Sequence, residues 1–163
     1  MTNFDNQLKN NDSYMTPKHA WTDIKQYIPN GTIWEPFYGD GKSGRHLADL
    51  GFSVEHRNED FFKNNRGDII VSNPPFSKIK DILVRLQELD KPFILIMPSS
   101  KINTQYFRSW KNKIKIIIPK KRINFICPSI KKSSCSFDCF YYCYKIQTLK
   151  SDITWLDSES SEL

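Results

Sequence analysis

The sequence predicts an α/β protein: a three-layer arrangement with a mostly parallel sheet, helices on both of its faces, and an antiparallel C-terminal strand. Three observations point there. Short apolar runs alternate with stretches of helical spacing between residues 32 and 118. The runs Ile69-Ile70-Val71 and Phe93 to Met97 are apolar without alternation, as strands covered on both faces must be. The last apolar segment, Phe137 to Ile146, follows an extended piece, Arg122 to Cys127, in the manner of a hairpin.

Each element has a local reason. Thr16 and Pro17 read as the cap and first turn of a helix that places Trp21, Ile24 and Ile28 on one face. Pro29-Asn30-Gly31 stops it. Thr32-Ile33-Trp34 is a short buried strand ending at Glu35-Pro36. A helix from about Gly44 to Leu50 follows, closed by Gly51, and Phe52 to Glu55 is a second strand. The strand Ile69 to Val71 ends at Asn73-Pro74-Pro75, because proline cannot continue a central strand. Ser77 reads as the cap of a helix carrying Ile79, Ile82, Leu83 and Leu86. Phe93 to Met97 is a strand, Thr104 to Trp110 a helix, and Lys113 to Ile118 another strand.

The 163 residues accommodate one domain, placed at 14–150, between a loose polar segment at 1–13 and an acidic tail at 151–163. No apolar run approaches the roughly 20 residues that span a bilayer, and the polar N-terminus does not read as a secretory signal. A cytoplasmic protein without membrane contact is expected. Cys135, Cys139 and Cys143 recur every fourth residue. In a strand that spacing separates them too widely to converge on one ion, so buried thiols are expected and no metal.

The net charge is +6, and no Asp or Glu occurs between Lys91 and Phe137. Lys120, Lys121, Arg122, Lys131 and Lys132 lie in that stretch. A basic half of this kind suits a polyanion, and a solvated lysine-rich surface is the plainer alternative.

Two segments fall at strand ends, where open α/β sheets bind ligands. The first is Glu35-Pro36-Phe37-Tyr38-Gly39-Asp40-Gly41-Lys42-Ser43-Gly44. Its Gly41-Lys42-Ser43 imitates a phosphate-binding loop, but Pro36 stands where that loop needs glycine. Gly39, Gly41 and Gly44 also fit a dinucleotide fingerprint, with Glu59 at the ribose distance. A third reading sets an acid at a strand tip before a Gly-x-Gly turn, so that Glu35 could meet the ammonium group of an amino-acid-bearing cofactor. The second segment is Asn73-Pro74-Pro75-Phe76. A simple strand exit does not need that order of residues. Two prolines fix the backbone and aim the Asn73 side chain and the Pro74 carbonyl. Two held acceptors suit the two N–H donors of an amino group, and Phe76 offers a flat face for a base.

With that tetrad the chain resembles the Asn-Pro-Pro-Phe class of S-adenosylmethionine-dependent amino-methyltransferases, most nearly the small adenine-N6 enzymes of phage or viral type. The likeness spans Tyr14 to Ile146 and implies a Rossmann-like methyltransferase sheet. Tyr14, Thr16 and Pro17 are similar to the family's segment at the methionine end of the cofactor. Glu35, Pro36, Phe37, Gly39 and Gly41 resemble its glycine motif. Asp60 and Phe61 resemble the segment that meets the cofactor's adenine, and Asn58 and Glu59 stand nearest the ribose position, without a clean match. Asn73, Pro74, Pro75 and Phe76 are the catalytic motif the resemblance implies, with Asn73 also beside the cofactor.

The implied reaction moves a methyl group from S-adenosyl-L-methionine to the exocyclic amino group of adenine in nucleic acid, DNA favoured. Lys120, Lys121, Arg122, Lys131 and Lys132 would meet phosphates. No separate target-recognition domain is visible in these residues, a departure from the family's pattern, so a protein partner that supplies target recognition is an expectation too. RNA adenosine methylation and a catalytically silent nucleic-acid-binding subunit are the alternatives. A dinucleotide oxidoreductase would leave the tetrad unexplained.

Overall fold

A computed structural model describes residues 15–125 and 135–157, with the backbone alone for 135–137. Tyr14, Lys131 and Lys132, the segment 1–13 and the tail beyond 157 lie outside the described residues.

The chain opens with α1 (Lys18–Thr22), a 3-10 turn (Lys25–Tyr27), β1 (Thr32–Trp34), α2 (Lys42–Asp49) and β2 (Ser53–Glu55). Next come β3 (Ile69–Ser72), a 3-10 turn (Phe76–Lys78), α3 (Ile79–Leu89) and β4 (Phe93–Pro98). Two 3-10 helices (Ser99–Asn103 and Gln105–Trp110) lead to β5 (Ile114–Ile118), β6 (Ile123–Phe125), β7 (Cys135–Phe137), β8 (Cys139–Tyr144) and β9 (Ile153–Trp155).

Seven strands form one mixed sheet in the order β2-β1-β3-β4-β8-β5-β9. All run the same way except β8, which lies antiparallel between β4 and β5. The sheet is therefore mostly parallel, as its unbroken apolar runs require. In β3 and β4 successive side chains alternate between two apolar layers. Val71, Ile94 and Ile96 face Trp21 of α1, Ile24 just beyond it and Leu47 of α2. Ile70, Phe93, Leu95 and Met97 face Ile79, Ile82, Leu83 and Leu86 of α3, with Phe107 and Trp110 of the second 3-10 helix. Burying a side chain of this size contributes about 1.5–3 kcal/mol, so both layers hold the sheet.

Several expectations need correction. Thr16 does not cap α1: Pro17 occupies that position in an extended conformation, without a side-chain cap, while Thr16 is buried. The helix stops at Thr22, and the 3-10 turn carries the chain on so that Ile24 and Ile28 still reach the core. Ser77 lies inside the 3-10 turn and the cap position of α3 falls on Lys78, because the Lys78 N–H closes back onto the Pro75 carbonyl at 3.0 Å. Gln105–Trp110 is 3-10 rather than α-helical. The extended piece after Arg122 does not flank β8. It pairs as β6 with β7 in a separate two-stranded ribbon, while β8 turns into the main sheet. Ile153–Trp155, within the stretch read as an acidic tail, is the parallel edge strand β9.

This order has one consequence for ligands. From β1 the chain crosses through α2 to β2 on one side, and after β2 it returns to β3 on the other. The strand order thus reverses between β1 and β3. Outside the carboxyl ends of that pair an α/β sheet leaves a crevice.

Candidate active site

The two segments singled out in the sequence leave the sheet at that reversal. Residues 35–41 follow β1, and Asn73 to Phe76 follow β3, its neighbour. A buried hydrogen bond joins the two tips: the Ser72 hydroxyl donates to Glu35 Oε1. Ser43 on α2 donates to Glu35 Oε2 at 2.8 Å, and the Phe37 N–H donates to Oε1 at 3.2 Å. Trp21 Nε1 on α1 donates in turn to Ser43 Oγ at 3.0 Å. Glu35 is 1% exposed and Ser72 is fully buried. Burial pushes the Glu35 carboxyl up to about 8, against the opposing pull of the Ser72, Ser43 and Phe37 hydrogen bonds.

The glycine loop takes its shape from residues with left-handed backbone. Gly39 (φ 59) and Gly41 (φ 85) occupy a region that side chains rarely enter, and Gly41 sits at the cap position of α2. Met15 lies against this loop, its Sδ 3.4 Å from where a Gly39 Cβ would stand. The segment ending at Met15-Thr16-Pro17 and the glycine motif are therefore neighbours. Gly44 has a different reason: a Cβ there would fall 2.3 Å from the His56 ring. His56 stacks on Tyr38 with ring centroids 4.7 Å apart. Burial, then the charge of Arg45, lowers its basicity.

Other predicted site residues fall less neatly. Pro36 is buried and Phe37 half-buried. Phe61 is 3% exposed and packs on Trp34 and Phe37, at 5.5 and 5.0 Å between centroids, so it is a core residue beneath the site. Asp60 is exposed and its Oδ1 accepts the Phe62 N–H at 2.8 Å, which tightens the turn. Asn58 is exposed. Both oxygens of Glu59 are engaged by Arg66, which holds its carboxyl below the ordinary range. Glu55, not Glu59, is the acid that terminates β2, next to β1 and in register with Trp34. Glu55 pairs with Arg57 at 3.2 Å.

Pro74 is buried, and Asn73 and Pro75 are partly exposed. Phe76 is half-buried against both core layers and meets Phe125 of β6. Lys120, Lys121 and Arg122 join β5 to β6. Lys120 bridges to Asp23 at 3.3 Å, just beyond α1, and Arg122 to Asp138 at 3.0 Å. Lys121 is exposed and makes no salt bridge with a described residue.

Sequence reading missed Ser72, Ser43, Trp21 and Glu55. A serine at a strand end carries no signal by itself, and Ser43 had been absorbed into a rejected phosphate-loop pattern. Among the described residues no group of three or more His, Cys, Asp or Glu side chains could hold a metal ion, and no helix is long and apolar enough to cross a membrane. Cys139 and Cys143 are buried free thiols.

No protein-family model matches the chain, and no curated protein matches it. The sheet and the residues at its reversal are the grounds for a functional reading.

Proposed function

We propose that the chain is a Rossmann-like S-adenosylmethionine-dependent methyltransferase acting on the exocyclic amino group of adenine in nucleic acid, DNA favoured. The observation that carries this reading is the buried Ser72–Glu35 hydrogen bond. It sets the Asn73 tetrad beside a glycine loop at the place where the strand order reverses. The antiparallel strand β8 lies inside the sheet between β4 and β5, whereas the C-terminal strand β9 is a parallel edge, which corrects the antiparallel C-terminal strand expected from the sequence.

The residues present fit such a cofactor in part. Gly39 is exposed and bordered by Met15, Gly41 turns the loop beneath Tyr38, and Glu55 supplies a carboxylate at the end of β2. Glu35 fits differently, since it is almost wholly buried and bonded to Ser72, Ser43 and the Phe37 N–H. When bound, S-adenosylmethionine supplies an activated sulfonium methyl, so the protein's task is geometric. The Asn73 side-chain oxygen and the Pro74 carbonyl would accept the two N–H bonds of the amino group. That draws the lone pair out of the ring and stabilises the positive charge developing on nitrogen. Phe76 would stack the base after it leaves its helix, and Lys121 would meet a phosphate.

Incubation with tritiated S-adenosylmethionine and separate DNA, RNA and protein substrates tests this. N6-methyladenosine or its deoxy form, identified by mass spectrometry, is the expected product. Absence of label in every nucleic acid would sink the proposal. The engagement of Glu59 by Arg66 favours a second reading, a silent nucleic-acid-binding subunit. Such a subunit would bind nucleic acid without binding the cofactor in calorimetry.

A further inference from the structure

Trp21, Ser43, Glu35 and Ser72 form a file of hydrogen bonds crossing α1, α2, the tip of β1 and the tip of β3, buried at Ser72–Glu35 and part-buried at Ser43. A core closes more cheaply with apolar side chains than with a carboxyl that must be desolvated. Three donors, the Ser72 and Ser43 hydroxyls and the Phe37 N–H, converge on one buried acid, with Trp21 behind Ser43, and that convergence needs a reason beyond packing. Ser72 precedes Asn73 directly. Whatever fixes Ser72 fixes the backbone from which Asn73 and Pro74 project.

We propose that Glu35 is a positioning residue that locks the Asn73-Pro74 motif to the glycine loop through Ser72, Ser43 and the Phe37 N–H, and does not itself contact the cofactor. This rests on the methyltransferase reading above and assigns Glu35 a role different from an ammonium ligand. Lone pairs and burial both support it. Oε1 already accepts two hydrogen bonds and Oε2 one. At 1% exposure Glu35 leaves almost no surface for a ligand to reach. Glu35 forms no salt bridge with a described residue, and its own N–H is spent on the Glu55 carbonyl at 3.0 Å. Glu55, which ends the neighbouring strand β2, is paired with Arg57. A misplaced acceptor by even ~1 Å can cost on the order of 10²-fold in rate, so a strut at this point matters to turnover more than to affinity.

The experiment compares Ser72→Ala, Glu35→Ala and Glu35→Gln with the wild type. It reads kcat for methyl transfer to DNA or RNA, the S-adenosylmethionine Kd by calorimetry, and folding by thermal melting. Ser72→Ala is expected to lower kcat about tenfold or more while Kd stays within about twofold. Gln keeps an acceptor for Ser72 and Phe37 and offers a donor to Ser43. Glu35→Gln should therefore recover most of the kcat that Glu35→Ala loses, again with little change in Kd. If Glu35→Ala does not fold, Ser72→Ala and Glu35→Gln decide alone. An active wild type with an equally active Ser72→Ala overturns the positioning role and leaves the methyltransferase reading standing. A Kd weakened about tenfold or more in Glu35→Gln overturns it as well, because that loss marks a direct charge contact. A wild type that neither binds the cofactor nor transfers methyl overturns both proposals together.

Discussion

Phe76 stands edge-on to Phe125, with ring centroids 6.2 Å apart and planes at 83°. The aromatic of the tetrad is thus braced by the β6–β7 ribbon, whose Phe125 is fully buried. Edge-to-face pairs contribute about 0.5–1.5 kcal/mol beyond their buried area. Phe125→Leu removes the ring and keeps an apolar side chain. It should lower kcat/KM for nucleic acid several-fold, roughly 2- to 10-fold, by loosening Phe76. Cofactor affinity should not change. Steady-state kinetics beside calorimetry will separate the two, and an unaltered kcat/KM would remove the brace from the mechanism.

Asn73→Ala should reduce methyl transfer by about 10²–10³-fold or more, the scale for losing one preorganised group that stabilises developing charge. Binding of S-adenosylmethionine should persist, since the glycine loop and Glu55 are untouched. A radiolabelled-methyl assay with purified variant checks this. Turnover near the wild-type level would strip Asn73 of its role.

The larger features of this fold were legible because they depend on local pattern. The unbroken runs of β3 and β4 and the helical spacing of Ile79, Ile82, Leu83 and Leu86 announce elements covered by others. The short elements were not. β6 and β7 have three residues each and exist because they pair with each other. Ile153–Trp155 gains its strand from β5, while the acidic residues around it suggested a tail. At the site, the tetrad and the glycine turn were legible as residue types in order. The Ser72–Glu35 bond spans 37 positions and depends on β1 lying beside β3, which single-sequence pattern does not state. Glu59 kept the expected spacing from Gly39, but the chain closes through Arg66 and takes it up.

Gly44→Ala should destabilise the protein by about 1–3 kcal/mol, the usual cost of forcing atoms into a filled space. The added Cβ would lie 2.3 Å from the His56 ring, which is itself held by Tyr38. His56→Ala alone also loses stability, but in its background the glycine substitution should cost far less. Denaturant unfolding of the four-member cycle measures that coupling. Additive effects would show that the ring moves aside freely.

Lys121→Glu should weaken binding to duplex DNA more than either Lys120→Glu or Arg122→Glu. The reason is that Asp23 and Asp138 already compensate the other two. Each lost phosphate contact should lower the slope of log K against log salt by about 0.9 for B-DNA. Fluorescence anisotropy across a salt series reads both affinity and slope. Equal effects at all three positions would mean that the salt bridges open on binding.

Glu35 also sets a pH dependence of stability whose sign can be worked out. Its folded carboxyl titrates at about 8 and the ordinary value is 4.5, so between these the folded state holds a proton the unfolded state has released. Stability from this group is fully present below pH 4.5 and is lost as pH rises through 8. The loss is on the order of a few kcal/mol, and about 2–4 °C in Tm accompanies each kcal/mol for a chain near this size. Other shifted groups act elsewhere. The lowered Glu59 and Asp90 carboxyls add stability above their unfolded range and lose it only in acid. The lowered His46 and His56 contribute a rise in stability as pH climbs through 6.5. The raised Cys139 and Cys143 thiols come into play at their ordinary value of 9.0 and above. The lowered Lys91 adds a pH dependence below its ordinary 10.5, so the Glu35 part is read as the difference between wild type and Glu35→Gln across the interval from pH 7 to 8. Wild-type Tm should fall across it, and Glu35→Gln, which cannot ionise, should flatten the curve. Parallel curves for the two proteins would place the Glu35 charge in contact with solvent and contradict its burial.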